Sequence, residues 1–188
     1  MKFYSQKNTR WRWQKLGTCR VNLGQAGCFV VSLANLADTK LKHPRTGEMA
    51  EANPSLVDWV ATNKHLYVAG CLVHSKRFAE LLDLEYNGKV FRRPSYPCIA
   101  ETDHYRKQGY PQHFFIMYPD GEIIDPLDYF PKKKPNKYHI VSYRLFKHKT
   151  KCTDKEIKKY KDKIKEHQEK LEYEQKKVEE YKNKLKQC

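Results

Sequence analysis

The last 36 residues, 153–188, contain neither proline nor glycine, and they constrain the fold more than any other stretch. Apolar or aromatic residues recur there at alternating steps of three and four, with His167 and Glu174 in the two remaining seam positions. The seven apolar or aromatic positions are Ile157, Tyr160, Ile164, Leu171, Val178, Tyr181 and Leu185. This heptad pattern predicts a long helix that forms a coiled coil or packs on a partner. We expect it to mediate self-association or to bind a virion partner; a solvated single helix or a tail packed on the body is the alternative.

The start of this helix is predicted from its first residues. Thr153 is the expected N-cap, and Glu156 stands at the capping-box position. The change in composition after Cys152 divides the chain into a body, 1–150, and a C-terminal helical unit, 151–188.

The body changes from helical to strand periodicity along its length. Predicted helices are Cys28–Ala37, apolar on nearly every face, Pro54–Asn63 and His74–Leu84. Predicted strands follow Gly88, at Pro97–Ala100, His113–Tyr118, Glu122–Asp125 and Tyr138–Leu145, with a tight turn at 119–121. Helices followed by an antiparallel sheet predict an α+β domain.

The formal net charge of +15 favours polyanionic partners. The body contributes +11 and the tail +4, so nucleic acid, an anionic membrane surface and bacterial wall polymers all fit. Basic residues are scattered through the body, and the lysine-rich stretch 131–137 is typical of a solvated loop, so we do not expect nucleic-acid binding as the main function. The sequence contains no run of about 18 apolar residues, so it predicts no membrane-spanning helix. The N-terminus lacks the apolar segment of a signal peptide, so we expect synthesis in the cytoplasm.

Six cysteines, at positions 19, 28, 71, 98, 152 and 188, show no CxxC pair and no spacing typical of a zinc site. We expect most of them to be reduced thiols, because a chain of this length is stabilised by its core and carries no secretion signal.

Cys28 is the candidate nucleophile. It follows the turn LGQAG and opens an apolar helix, where unpaired N–H groups and the helix dipole stabilise a thiolate. His113 begins one strand of the predicted hairpin and Asp125 ends the other; the pairing places residue 113 opposite 126 or 127, so the two side chains are expected to approach. A thiol, an imidazole and a carboxylate follow the logic of a catalytic triad. Each residue also has an ordinary interpretation, as a core thiol, a strand-end histidine and a turn aspartate.

The stretches YSQKNTRW, GCFVVSLANL and QHFFIMYPDGEIIDP resemble papain-fold cysteine peptidases of the bacteriocin-leader-peptidase-like group, as found in phage lysins and bacterial wall enzymes. The resemblance spans about residues 3–126, with looser agreement to about 146, and excludes the tail. It implies a papain-like fold with Cys28 as nucleophile, His113 as general base and acid, and Asp125 as the residue that orients the imidazole. It also implies an oxyanion hole formed by Gln6 and the backbone N–H of Cys28, with Gln25 as the competing glutamine, and no cofactor or metal.

The implied function is a cysteine endopeptidase that cleaves peptidoglycan at the cell wall, as an endolysin or a virion-associated enzyme. Processing of a protein or leader peptide is an alternative, and so is a catalytically retired fold that serves as a structural protein. Many relatives have glycine directly after the nucleophile where this chain has Phe29, which puts the substrate's shape in question. Trp11 and Trp13 are expected to be core anchors rather than cleft residues.

Overall fold

The structure is a computed structural model that describes residues 3–103, 112–128, 138–149 and 154–185. The chain divides into two compact units, Met1–Lys149 and Thr150–Cys188, one residue from the boundary predicted by composition. Each helix in the described ranges is too short or too polar to cross a membrane.

The first unit contains four helices in the described residues. They are α1 (Leu23–Ala26), α2 (Cys28–Leu36), α3 (Pro54–Asn63) and α4 (Ser75–Leu81). The predicted positions of α2 and α3 are confirmed. The prediction for α4 is wrong at both ends. His74 lies outside the helix as its N-cap, and the helix ends at Leu81, three residues early, because Leu84 already begins a strand.

A five-stranded antiparallel sheet follows these helices and confirms the mixed α+β class. The strands of the first unit are β1 (Lys40–Lys42), β2 (Met49–Glu51), β3 (Leu84–Val90), β4 (Cys98–Thr102), β5 (His113–Met117), β6 (Ile123–Ile124) and β7 (Ile140–His148). The sheet has the order β3-β7-β4-β5-β6, and a separate two-stranded ribbon pairs β1 with β2. Sequence periodicity missed α1, β1, β2 and β3. The ribbon also places strand structure between α2 and α3, where only helices were expected.

The core occupies both faces of the sheet. On one face Phe29 of α2 packs against Phe114 of β5 and Phe146 of β7, with ring centroids 4.8 and 6.1 Å apart. On the other face a smaller cluster includes Cys98, Phe115 and Met117. Because successive strand residues point to opposite faces, β5 contributes Phe114 to the first cluster and Phe115 to the second. The burial of α2 predicted from its apolar sequence is confirmed over its first eight residues.

The second unit is the helix α5 (Asp154–Leu185), 32 residues long. It confirms the predicted long helix. The predicted N-cap Thr153 and the lysine-rich stretch 131–137 lie outside the described residues.

Cys19 and Cys71 form a disulfide, which corrects the expectation of reduced thiols for this pair. Their loops are held together by the backbone, since the N–H of Thr18 donates to the carbonyl of Gly70 at 3.0 Å. Gly70 has a positive φ of 61°, and a β-carbon there would lie 2.8 Å from the sulfur of Cys19. The pairing depends on this close approach of two loops 52 residues apart, which no sequence spacing reveals. Cys28 and Cys98 are free and buried, while Cys152 and Cys188 fall outside the described part of the chain.

Candidate active site

Cys28 is the first residue of α2, and a single residue, Gly27, separates it from α1. The N–H of Gly27 donates to the carbonyl of Leu23 at 2.9 Å, and the carbonyl of Gly27 accepts from the N–H of Val31, so Gly27 closes α1 and begins α2. A β-carbon at Gly27 would lie 2.5 Å from the carbonyl oxygen of Leu23, which makes glycine necessary here. Asn22 caps α1 through the N–H of Gln25. This junction places the thiol at a helix N-terminus, as the sequence predicts.

His113 is the first residue of β5 and pairs with Thr102 of β4. Its Nε2 lies 2.8 Å from Oδ1 of Asp125, and the ring also hydrogen-bonds Cys28. Because Nε2 contacts the carboxylate, Nδ1 is the nitrogen left for the sulfur. The structure therefore brings together the three residues Cys28, His113 and Asp125.

Asp125 follows β6, and hydrogen bonds to His113, Leu127 and Tyr138 are among the contacts that hold its carboxylate. Besides His113, the backbone N–H of Leu127 donates to Oδ1 at 2.9 Å and the hydroxyl of Tyr138 donates to Oδ2 at 2.6 Å. The strand register pairs Met117 with Ile123, which agrees with the hairpin predicted from the turn at 119–121. Tyr138 was missed, because nothing near it in the sequence marks it as a partner of a residue 13 positions earlier.

These contacts determine the protonation states of His113 and Asp125. Burial alone would lower the pKa of His113, but hydrogen bonds to Asp125 and Cys28 and the charges of both groups raise it to about 9. Burial alone would raise the pKa of Asp125, but the hydrogen bonds and charge it receives from His113, with those from Tyr138 and Leu127, lower it. At neutral pH the site therefore holds an imidazolium against a carboxylate.

Gln6 is almost fully buried, with 1% of its surface exposed, and lines the same cavity as Cys28 and His113. Its backbone N–H donates to the carbonyl of Pro126 at 2.6 Å, which joins the N-terminal segment to the turn that carries Asp125. The side-chain Oε1 of Gln6 has no hydrogen-bond partner among the described residues.

Gln25 also lines this cavity, but its side-chain oxygen accepts from the N–H of Asn22 in the capping box of α1. Gln6 is thus the buried glutamine at this cavity and Gln25 the exposed one.

The cavity has a volume of about 600 Å³. Gln25, Leu72 and Val73 line part of it, next to the disulfide residue Cys71, and Lys7 and Leu127 also contribute. This volume is within the usual range for ligand-binding clefts.

Phe29 packs inward on Phe114, so the large residue after Cys28 belongs mainly to the core. Arg144 of β7 lies over both rings and lines the cavity. Its Nη1 donates to Glu101 at 2.9 Å. Burial would raise the pKa of Glu101, but hydrogen bonds from Ser142, Lys89 and Arg144 lower it, so the carboxylate stays charged and holds the arginine. Sequence reasoning missed Arg144 as a cleft residue.

Trp11 is buried and donates from its indole N–H to the carbonyl of Ser5 at 2.8 Å, which confirms its prediction as a core anchor. The same prediction is wrong for Trp13, which is 68% exposed beneath the guanidinium of Arg12.

Two further observations bear on the identity of this site. Within the described ranges, no group of three or more His, Cys, Asp or Glu side chains is arranged to hold a metal ion. Comparison of the chain with protein-family models, curated proteins and solved structures finds no match.

Proposed function

We propose that this chain is a papain-like cysteine endopeptidase that hydrolyses amide bonds through Cys28, His113 and Asp125. The observation that carries the proposal is the chain of contacts from the buried carboxylate through the imidazole to the thiol at the start of α2. Gln6, at the same cavity, supplies an amide suited to an oxyanion hole.

The reaction begins with the proton of Cys28 on His113. The thiolate attacks the carbonyl carbon, and the oxyanion is held by the Gln6 side-chain amide and the Cys28 backbone N–H. His113 then donates its proton to the leaving amine as the C–N bond breaks, which leaves a thioester on Cys28. Neutral His113 takes a proton from water, hydroxide attacks the thioester, and the acid product leaves. Loss of one oxyanion donor typically costs about 100-fold or more in turnover.

The proposed substrate is the peptide part of bacterial peptidoglycan. The net charge of +15 supports it, because the wall is rich in anionic polymers that attract a basic protein.

The chemistry is tested by alkylating the protein with iodoacetamide at pH 6 and mapping the modified peptides. Cys152→Ser and Cys188→Ser are introduced first, so that Cys28 and Cys98 are the remaining free thiols. Cys98 is a matched internal control, because burial raises its pKa to about 12. We expect Cys28 to react much faster than Cys98, and His113→Ala to slow it to the rate of an ordinary thiol. Slow, equal labelling of both cysteines would instead favour a retired scaffold.

The substrate is tested separately with purified sacculi. We expect the native protein to release new amino termini and Cys28→Ser to release none. Rapid labelling of Cys28 without release from sacculi would reject the wall substrate and leave the chemistry standing. Mass spectrometry of candidate precursor proteins would then examine processing.

A further inference from the structure

The helix α5 carries an exposed apolar stripe. Ile164, Leu171 and Val178 lie seven residues apart on one face and are 58%, 60% and 51% exposed. Spacing by seven defines them as the a positions of heptads written abcdefg. Stripes of this kind become buried when a second helix packs against them.

The residues that flank this apolar stripe are mostly lysines. Positions e and g, which border the seam on either side, hold six lysines and two glutamines between residues 161 and 184. In chain order they are Lys161, Lys163, Gln168, Lys170, Gln175, Lys177, Lys182 and Lys184. We call these eight residues the lysine flanks. Over the same range the acidic residues lie on the outer positions b, c and f, apart from Glu174 at d.

This distribution opposes pairing with a second copy of the chain. In a parallel pair, g faces the e position of the next heptad, so Lys163 and Lys170 would meet glutamine and Lys177 would meet Lys182. Two Glu174 side chains would also face each other inside the seam. In an antiparallel pair g faces g, and every such contact would join two lysines. Neither orientation provides an opposite-charge contact at these positions.

The seam is also a poor match for a lipid surface. An interfacial helix needs a broad apolar face, but here the d positions next to the aliphatic residues include His167 and Glu174. Both side chains instead suit the polar layers that set partner choice in coiled coils.

We propose that α5 binds a heterotypic partner: an amphipathic helix of another protein that has an apolar seam flanked by Asp or Glu at its e and g positions. The acidic flanks pair with the lysine flanks while the seams bury each other. This interface extends along a helix about 48 Å long and does not depend on the chemistry at Cys28.

The test uses the full-length protein and three synthetic helical peptides with identical Ile and Leu seams and with Glu, Gln or Lys at every e and g position. Isothermal titration at low salt measures each affinity. We expect the Glu peptide to bind at least about 10-fold more tightly than the Gln peptide, and the Lys peptide not to bind. Leu171→Lys should abolish binding, because it places a charge in the seam.

Charge-reversal variants localise the effect. Lys170→Glu combined with Lys177→Glu should weaken binding of the Glu peptide about 10-fold or more and allow the Lys peptide to bind. The matched control, Lys165→Glu with Lys176→Glu, makes the same charge change at outer positions and should leave both affinities nearly unchanged. Equal losses in both variants would overturn the proposal. So would dimerisation of the free protein at micromolar concentration with no peptide bound, or binding to phosphatidylserine vesicles in place of the Glu peptide.

Discussion

At the scale of single residues, the proposed chemistry depends on the charge of His113. A buried imidazole is normally neutral, because burial penalises the charged form. Here Asp125 holds one ring nitrogen and Cys28 the other, and together they outweigh that penalty. The protonated ring is the acid that the leaving amine requires, so the alkaline limit of activity reports directly on this residue.

We expect peptidase activity to fall as the pH rises through about 9, where His113 loses its proton. Asp125→Asn removes the charge that helps raise the pKa of His113, so the alkaline limb should move to lower pH and turnover should fall by about 100-fold. Rates of peptide hydrolysis between pH 5 and 11 measure both effects. Asp120→Asn, the same change in the exposed turn of the hairpin, is the control and should keep the native profile. An Asp125→Asn profile with an unmoved alkaline limb would contradict the assignment.

Tyr138 is a positioning residue for the same pair. Tyr138→Phe removes the hydrogen bond to Oδ2 of Asp125, one of the contacts that lower the pKa of that carboxyl. The pKa of Asp125 should therefore rise, which moves the acid limb of the pH profile upward, and kcat should fall about three- to tenfold with little change in KM. Tyr143→Phe is the control, since this residue does not contact the triad in the described structure. A lower kcat with an unmoved acid limb would point to a purely structural role.

The site residues that the sequence predicts are those placed by local geometry. A glycine before an apolar helix fixes Cys28, and a tight turn with strand periodicity on both sides brings His113 near Asp125. Tyr138 and Arg144 come from the segment that leads into β7 and from β7 itself, so their positions depend on long-range strand order. No local pattern contains that order, and these two residues were found only in the structure.

At the scale of elements, α2 is set by its local sequence, whereas β3 is set by long-range pairing. The helix α2 is predicted because its residues are apolar all round, whatever it packs against. Strand β3 contains Asn87 and Gly88, residues typical of a turn. It is strand through antiparallel pairing with β7, with a register irregularity between Tyr86 and Lys89. Tertiary pairing here overrides local propensity.

The disulfide links two loops that also meet at a buried carboxylate. The N–H of Gly17 donates to Asp58 at 2.8 Å, and the hydroxyl of Tyr67 donates to the same oxygen. Cys19 and Cys71 lie just beyond these two residues, and Cys71 reaches the wall of the cavity. The covalent link therefore secures one side of the cleft.

Cys19→Ser combined with Cys71→Ser should lower the free energy of unfolding by about 2–4 kcal/mol, because a long loop of the unfolded chain is no longer closed. Thermal denaturation monitored by near-UV circular dichroism measures the loss. Dithiothreitol should lower the melting temperature of the native protein by about as much as the double substitution does. It should leave the melting temperature of the double variant unchanged. A native protein whose melting temperature is insensitive to the reductant under conditions that expose the disulfide would refute this role.

At the scale of the whole molecule, the net positive charge and the proposed hydrolysis depend on different residues. The positive charge is spread over both units, whereas the proposed reaction uses one thiol, one imidazole and one carboxylate. Retention of the protein on the anionic cell wall should therefore depend on salt, and cleavage of the wall peptides should depend on Cys28. Screening weakens the attraction between separated charges, with a Debye length of about 10 Å at 0.1 M salt and about 3 Å at 1 M.

We expect the fraction of protein retained by purified bacterial walls to fall steeply between 0.05 and 1 M sodium chloride, because the Debye length falls to about 3 Å at 1 M. Cys28→Ser should follow the same salt curve, because the substitution leaves the net charge of +15 unchanged while removing the nucleophile. Sedimentation of the walls with bound protein measures retention, and new amino termini in the supernatant measure cleavage. Retention that is indifferent to salt would show that binding comes from specific contacts rather than from the overall charge. Loss of retention in Cys28→Ser would instead place wall binding in the cleft itself.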